Sequence, residues 1–187
     1  FPHNLKVAYI KEEPDGTFHS VLMRARPAHR GGGTEVLYKV KLPGNPIVGE
    51  GKPENQNHAI IFARGQCLQT LDMNQDGYLG EAFKMRNLLE GFVGNVRLIG
   101  FREHIFSQSG GAVAALAASS EFVFGTMSQR FMSYPLHVRF HYGHPDVWDR
   151  VWAQANGGVA KATKTLHVSE DIFGGVNVFL RGGDIKY

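Results

Sequence analysis

The sequence predicts an α/β fold: one unit over residues 1–187, with a mixed sheet flanked by helices. Three observations lead there. Short runs rich in β-branched and aromatic residues recur from the N-terminal end onward, bounded by Gly, Pro, Asp and Asn. Apolar residues at near-helical spacing follow them, so strand-like and helix-like segments alternate along the second half of the chain. The hydrophobic fraction, 43%, is enough to fill a core in a chain of this length.

The elements follow in order. LKVAYI, FHSVLM and EVLYKV read as three strands joined by the turn-rich EEPDG and RPAHRGGG, an antiparallel meander. KLPGNPIVGEGKPENQNH reads as a long polar loop. AIIFARGQCLQTL reads as two short β-rich runs about Arg64 and Gly65, a hairpin. From Tyr78 to Phe92 the residues Leu79, Ala82, Phe83, Leu88, Leu89 and Phe92 keep helical spacing. VRLIGF predicts a strand, and the Ala- and Phe-rich segment from Gly111 to Met132 predicts one or two helices. VRFHY predicts a short strand and DVWDRVWAQA a helix. Ser169 is placed to cap a last helix beginning EDIFGG, its acids in the first turn where the helix dipole favours them.

Composition bounds the function. A single cysteine, Cys67, excludes an internal disulfide and suggests a reducing compartment. The net charge of +3 comes from scattered Lys and Arg without a basic block, so nucleic acid is not an implied partner. The run GGAVAALAA falls well short of the roughly 20 apolar residues that a membrane helix needs. The chain opens on Phe1 without an initiator Met or a signal peptide, which suggests a piece of a longer protein.

Several segments carry residues suited to chemistry. DMNQDGYLGEAF, from Asp72 to Phe83, imitates an EF-hand loop, with oxygens at Asp72, Asn74 and Asp76 and a glycine at Gly77. The bidentate Glu that calcium needs at the twelfth position is replaced by Phe83, and Glu81 comes two residues early, so the calcium reading fails. An acidic cluster between a strand and a helix remains. Ligands gather at the carboxyl ends of strands, and carboxylates there can hold Mg²⁺ bridged to phosphates or bond a ribose. Asp76 can equally serve as a plain helix cap. GEGKPENQN resembles a Walker loop only superficially, since Pro46 stands where the first glycine should be and Pro53 follows Lys52. Its Lys52 can still meet a diphosphate, and Asn55, Gln56 and Asn57 can read sugar hydroxyls or a base edge, if the loop is not merely solvated. In RFHYGHPDVWDR, His141, His144 and Asp146 tempt a zinc assignment, but the proline favours a turn over the helix or knuckle of most zinc sites. Tyr142, Trp148 and Trp152 offer faces that could stack on sugars or fill a core. In SEDIFGG, Glu170 and Asp171 are neighbours whose side chains diverge; one can cap the helix while the other acts as a general base.

In order and spacing, KLPGNPIVGEGKPENQNHAIIFARG, LQTLDMNQDGYLGEAFKMRNLL, GFREHIF, RFHYGHPDVWD, GGVAKATK and SEDIFGGVNVFLRGG resemble the catalytic region of 1,3-β-glucan synthases, the plant callose synthases and fungal cell-wall glucan synthases. The resemblance runs from Leu5 onward and weakens at RPAHRGGG and from Gly110 to Glu121. Gly77 stands where the family often has Asn, and Gly174 where it often has Ala.

The resemblance implies part of a GT-A-like glycosyltransferase domain on the cytosolic face of the plasma membrane, within a large multi-span protein. It implies transfer of glucose from UDP-glucose to the 3-hydroxyl of a growing β-glucan, with inversion. Glu170 and Asp171 are then the candidates for the base. Lys52, Asn55, Gln56, Asn57, Asp72, Asn74, Asp76, His141, Tyr142 and His144 form the substrate-binding set, with Asp72 the place for Mg²⁺ if a metal is used. The implied partners are the UDP-glucose donor, the β-glucan acceptor, the membrane helices of the full-length protein and a regulatory small GTPase. Phe122, Phe124, Phe131 and Trp148 are expected to lie exposed where absent parts would meet them. Two rivals stand beside this reading: a non-catalytic sugar-nucleotide-binding or regulatory module of the same fold, and a zinc hydrolase built on His141, His144 and Asp146.

Overall fold

The computed structural model describes residues 4–49, 51–71, 79–102, 110–137, 146–160 and 170–187, with Lys52, Glu81, Ala82, Glu170, Asp171 and Ile172 described through their backbone. Two compact units emerge, one carrying the described residues up to Ala63 and the other those from Arg64 onward. Packing units of this kind occur within a domain as well as between domains.

In the first unit, strands β1 (Lys6–Glu12), β2 (Phe18–Ala25) and β3 (Thr34–Lys41) form the expected antiparallel meander in the order β1-β2-β3. Asp15 fixes the first turn, its carboxylate accepting from the backbone and hydroxyl of Thr17 at 3.0 and 2.7 Å. Opposite charges at matched register positions tie the strands: Arg24 faces Glu35 and bonds to it. The centre of β2, from Ser20 to Leu22, is buried.

The segment read as a polar loop over residues 41–58 ends in a helix, α1 (Lys52–Ala59). Pro53 does not stand in its way. A proline in the first helical turn removes an amide that has no partner there anyway, so it starts this helix rather than preventing it. The hairpin expected over residues 59–71 is also absent. Its first half is a 3-10 turn, Ile60–Phe62, that continues α1, and only Cys67–Gln69 is a strand, β4. Ile60 is buried and Phe62 stacks on Tyr38 with ring centroids 6.3 Å apart, contacts that β-propensity alone does not foresee.

The second unit is built on a mixed sheet of β4, β5 (Val96–Ile99), β6 (Val147–Asp149) and β7 (Asp184–Lys186), in the order β4-β6-β5-β7. β6 is antiparallel to both β4 and β5, whereas β5 and β7 are parallel. The expected helices appear as α2 (Leu79–Leu88) and as a continuous rod of α3 (Gly111–Val123), a π-helical turn (Phe124–Ser128) and α4 (Gln129–Ser133). DVWDRVWAQA is not one helix. Val147–Asp149 forms β6, and α5 (Arg150–Ala155) begins only after Asp149, whose carboxylate accepts from the Trp152 amide at 3.0 Å. Trp148 thus lies in a central strand, fully buried, and is not among the exposed aromatics as expected; Phe122 and Phe131 are. The last helix, α6 (Glu170–Leu180), starts where SEDIFGG predicts. It reverses through Arg181–Gly183 into β7, a strand too short to be read from the sequence. At Gly183 a Cβ would come within 2.9 Å of both Arg97 and Val178, so only glycine permits this reversal without displacing them. Leu98, Val147, Trp148, Ala153 and Val178 make the core between the sheet and its helices. The fold is therefore α/β with a mixed sheet, as expected. The strand VRFHY and the cap Ser169 fall outside the described residues.

Candidate functional site

One edge of the mixed sheet collects the motifs. β5 and β7 are parallel, so their carboxyl ends coincide; there Gly100 donates to the Lys186 carbonyl at 2.8 Å, and Phe101, Arg102 and Tyr187 follow. β6 runs the other way, so its first residues reach the same edge: Val147 pairs with Ile99 on one side and Gln69 on the other. Asp146, which precedes β6, is wholly buried, and its carbonyl accepts from the Thr70 amide at 2.9 Å. β4 also ends here, leaving Thr70 and Leu71 as the described approach to Asp72. The tight turn into β7 sends α6, whose first residues are Glu170 and Asp171, back over the sheet.

The edge thus joins the approach to DMNQD, the start of GFRE and the end of GHPD, segments far apart in sequence. Crevices beyond the carboxyl ends of parallel strands are where open α/β sheets bind ligands. Asp72, Asn74, Asp76, His141, Tyr142 and His144 lie outside the described residues, so their geometry is not part of this edge's description. Among the described residues, no three His, Cys, Asp or Glu side chains converge as metal ligands. Cys67, on β4, has its thiol pushed up by burial and further by the Asp149 carboxylate, which favours the protonated form.

The GEGKPENQN segment belongs to the first unit. Lys52 is the first residue of α1, and Asn55, Gln56 and Asn57 occupy its middle. The ordering group is Glu54, only 5% exposed. One carboxylate oxygen accepts from the amides of Val48 and Gly49 at 2.9 and 2.6 Å, and the other from Gly51 at 3.0 Å. A carboxylate in the first helical turn reaching back to the capping residue is half of a capping box. Gly51 itself has φ +94°, a conformation open mainly to glycine. These amides already serve Glu54, so this loop does not offer them to a phosphate as a Walker loop would.

One turn further along α1, His58 is buried. Its Nδ1 meets the Ser20 hydroxyl at 2.6 Å and its Nε2 meets Asn55 Oδ1 at 2.8 Å. An amide oxygen can only accept, so Nε2 carries the proton and Nδ1 accepts from Ser20. Burial holds the imidazole below its ordinary pKa, consistent with that neutral form. Asn55 therefore uses its oxygen internally while its residue remains exposed. Neither Glu54 nor Arg102 was singled out by residue type. The signal for Glu54 was its place three residues after Gly51; GFREHIF was visible as a motif but suggested no role for its arginine.

Comparison with known proteins completes the description. The family described as 1,3-beta-glucan synthase component matches residues 1–187. Among curated proteins, callose synthases 4 and 3 of Arabidopsis thaliana are each 48% identical to this chain over 98% of its length. Callose synthase 12 of the same plant is 46% identical over 98%. The chain spans about a tenth of the length of these relatives: 11%, 10% and 11%, respectively. No solved structure matches it at a significant level.

Proposed function

The chain belongs to the 1,3-β-glucan synthase family, and we propose that it forms part of the catalytic region of a synthase that builds 1,3-β-glucan from UDP-glucose. What supports this reading is the meeting, at one edge of a mixed sheet, of the strand ends that lead into DMNQD, GFRE and out of GHPD. The mixed sheet with its covering helices is compatible with a GT-A-like domain.

UDP-glucose is an α-glycoside and the polymer is β-linked, so one inverting displacement suffices. A base takes the proton of the acceptor 3-hydroxyl, its oxygen forms the bond to C1, and the bond from C1 to the diphosphate breaks with its electron pair leaving on UDP. Glu170 is the first candidate for the base and Asp171 the second; the start of a helix does not decide between adjacent carboxylates. Lys52 would meet the diphosphate, while Asn55, Gln56 and Asn57 would line the donor pocket. Asp72, with Asn74 and Asp76, would bind the donor, and Asp72 is where Mg²⁺ would be held, to offset the charge of the diphosphate. His141, Tyr142 and His144 would contact substrate. In this reading the domain faces the cytosol beneath the plasma membrane, tied to membrane helices of the full-length protein and open to a small GTPase regulator. Among the described residues no helix is long and apolar enough to cross a membrane.

The test is Glu170→Gln beside Asp171→Asn in the full-length protein. The isosteric amide cannot take a proton, so glucan synthesis should fall by about 10²- to 10⁴-fold with folding retained. Near-normal turnover in Glu170→Gln with a dead Asp171→Asn would move the role to the neighbour. Two active variants would favour the non-catalytic module.

A further inference from the structure

We propose that Arg102 binds the phosphate groups of a nucleotide at the carboxyl edge of the mixed sheet, an inference that rests on the UDP-glucose reading of this edge. Arg102 follows the carboxyl end of β5 by three residues, beside Tyr187, which follows β7. Its guanidinium lies over the Phe122 ring, 4.1 Å from the centroid. That contact uses one face of the cation and holds it still, while leaving the N–H donors in the guanidinium plane for another group.

Two further observations point to an anion. Arg102 makes no ion pair among the described residues, and its Nε is buried from solvent without a hydrogen-bond partner. That atom is closed to an incoming ligand, so the terminal Nη groups, which are not closed off in this way, would be the donors to a phosphate. Arg97, within β5, differs: it is neutralised by Asp149 at 2.9 Å. The stem of Arg102 is also held by shape. Gly125, in the π-helical turn, lies so close that a Cβ there would stand 3.0 Å from Arg102 Cγ and 2.8 Å from Tyr187 Oη. π-turns recur at functional sites, and this one gives up a side chain to let the arginine pass. An ordered, unpaired guanidinium matches the planar, multiple acceptors of a phosphate better than a mobile lysine does.

The experiment compares UDP with uridine as ligands of the full-length protein, by calorimetry, for wild type, Arg102→Gln, Arg102→Lys and Gly125→Ala. The wild type should prefer UDP. Arg102→Gln should weaken UDP by about 10- to 100-fold while uridine binding stays unchanged. Arg102→Lys, which keeps the charge and guards against misfolding of the first variant, should lose about 3- to 10-fold. Gly125→Ala, which leaves the charge and displaces it, should lose UDP selectively as well. An unchanged preference for UDP in Arg102→Gln and Arg102→Lys would overturn the proposal and leave the synthase reading intact. An equal loss of UDP and uridine would assign Arg102 a purely structural role and also overturn it. A wild type that binds no UDP would sink both readings.

Discussion

At the scale of single residues, the first unit is organised by two buried polar groups where apolar ones might be expected. Glu54 costs desolvation and recovers it through three charge-assisted bonds to the amides of Val48, Gly49 and Gly51. Glu54→Ala leaves those donors without their acceptor and should destabilise this unit by about 3 kcal/mol, read from urea unfolding. Glu54→Gln should cost less, about 1–2 kcal/mol, because the amide oxygen can still serve Val48 and Gly49 while its NH₂ opposes the Gly51 donor. A loss in Glu54→Ala below about 0.5 kcal/mol would mean that the loop holds its own shape.

His58 makes a prediction about pH. Its folded pKa lies below the ordinary value of 6.5, and burial is the cause. The unfolded chain therefore takes up a proton first as pH falls, and the stability contributed by the neutral ring is complete above about pH 6.5 and lost progressively below it. The melting temperature should drop from pH 7.5 to pH 5.0, with a smaller drop in His58→Gln. Equal pH profiles for the two proteins would show that the ring protonates without penalty. The same residues show how far the sequence could be read at this scale. Lys52, Asn55, Gln56 and Asn57 were visible as residue types, but the groups that order them were not. A carboxylate clamp and an imidazole bridge between α1 and Ser20 depend on which side chains become buried, and no local pattern announces that.

At the scale of elements, the strands of the meander and the starts of α2, α3 and α6 were legible because alternation, helical spacing and caps are local signals. The differences have two causes. α1 is hidden in a segment whose glycines, prolines and amides read as a loop, although its first turn tolerates Pro53. β6 was hidden because Trp148 and Trp152 have helical spacing, although Trp148 pairs with both Leu68 and Leu98 in the sheet. A sheet partner far along the chain overrides local periodicity. Asp149 marks the true boundary, as the cap of α5 and the partner of Arg97. Asp149→Ala should therefore cost about 1–2 kcal/mol, most of it from the cap, whereas Asp149→Asn, which keeps an oxygen for the Trp152 amide, should cost about half of that. Removing the carboxylate also withdraws one of the two influences that push the Cys67 thiol up. Alkylation of Cys67 in Asp149→Asn should then accelerate at a lower pH than in the wild type. An unshifted profile would leave burial as the whole cause.

At the scale of the molecule, the described surface carries a long apolar stripe. Val113, Leu116, Val123, Met127 and Phe131 are all exposed along α3, the π-turn and α4, at spacings that keep them near one face of the rod. An apolar stripe on water, broken here only at Ser120, is a source of self-association, so these 187 residues alone should aggregate with rising concentration, and Leu116→Gln with Phe131→Gln should reduce light scattering. A second consequence concerns activity. A polymerising transferase must hold its acceptor in place while the next donor arrives, and such positioning lowers the barrier by about 7–11 kcal/mol. This chain spans about a tenth of the length of the relatives it resembles, and on the synthase reading proposed above its mixed-sheet edge would serve the donor alone. The isolated chain, incubated with labelled UDP-glucose and a β-glucan primer, is accordingly expected to make no alkali-insoluble polymer, even where it still binds UDP. Sustained polymer formation by these residues alone would place the acceptor path within them, and the positioning argument would then have to be rebuilt around the described edge itself.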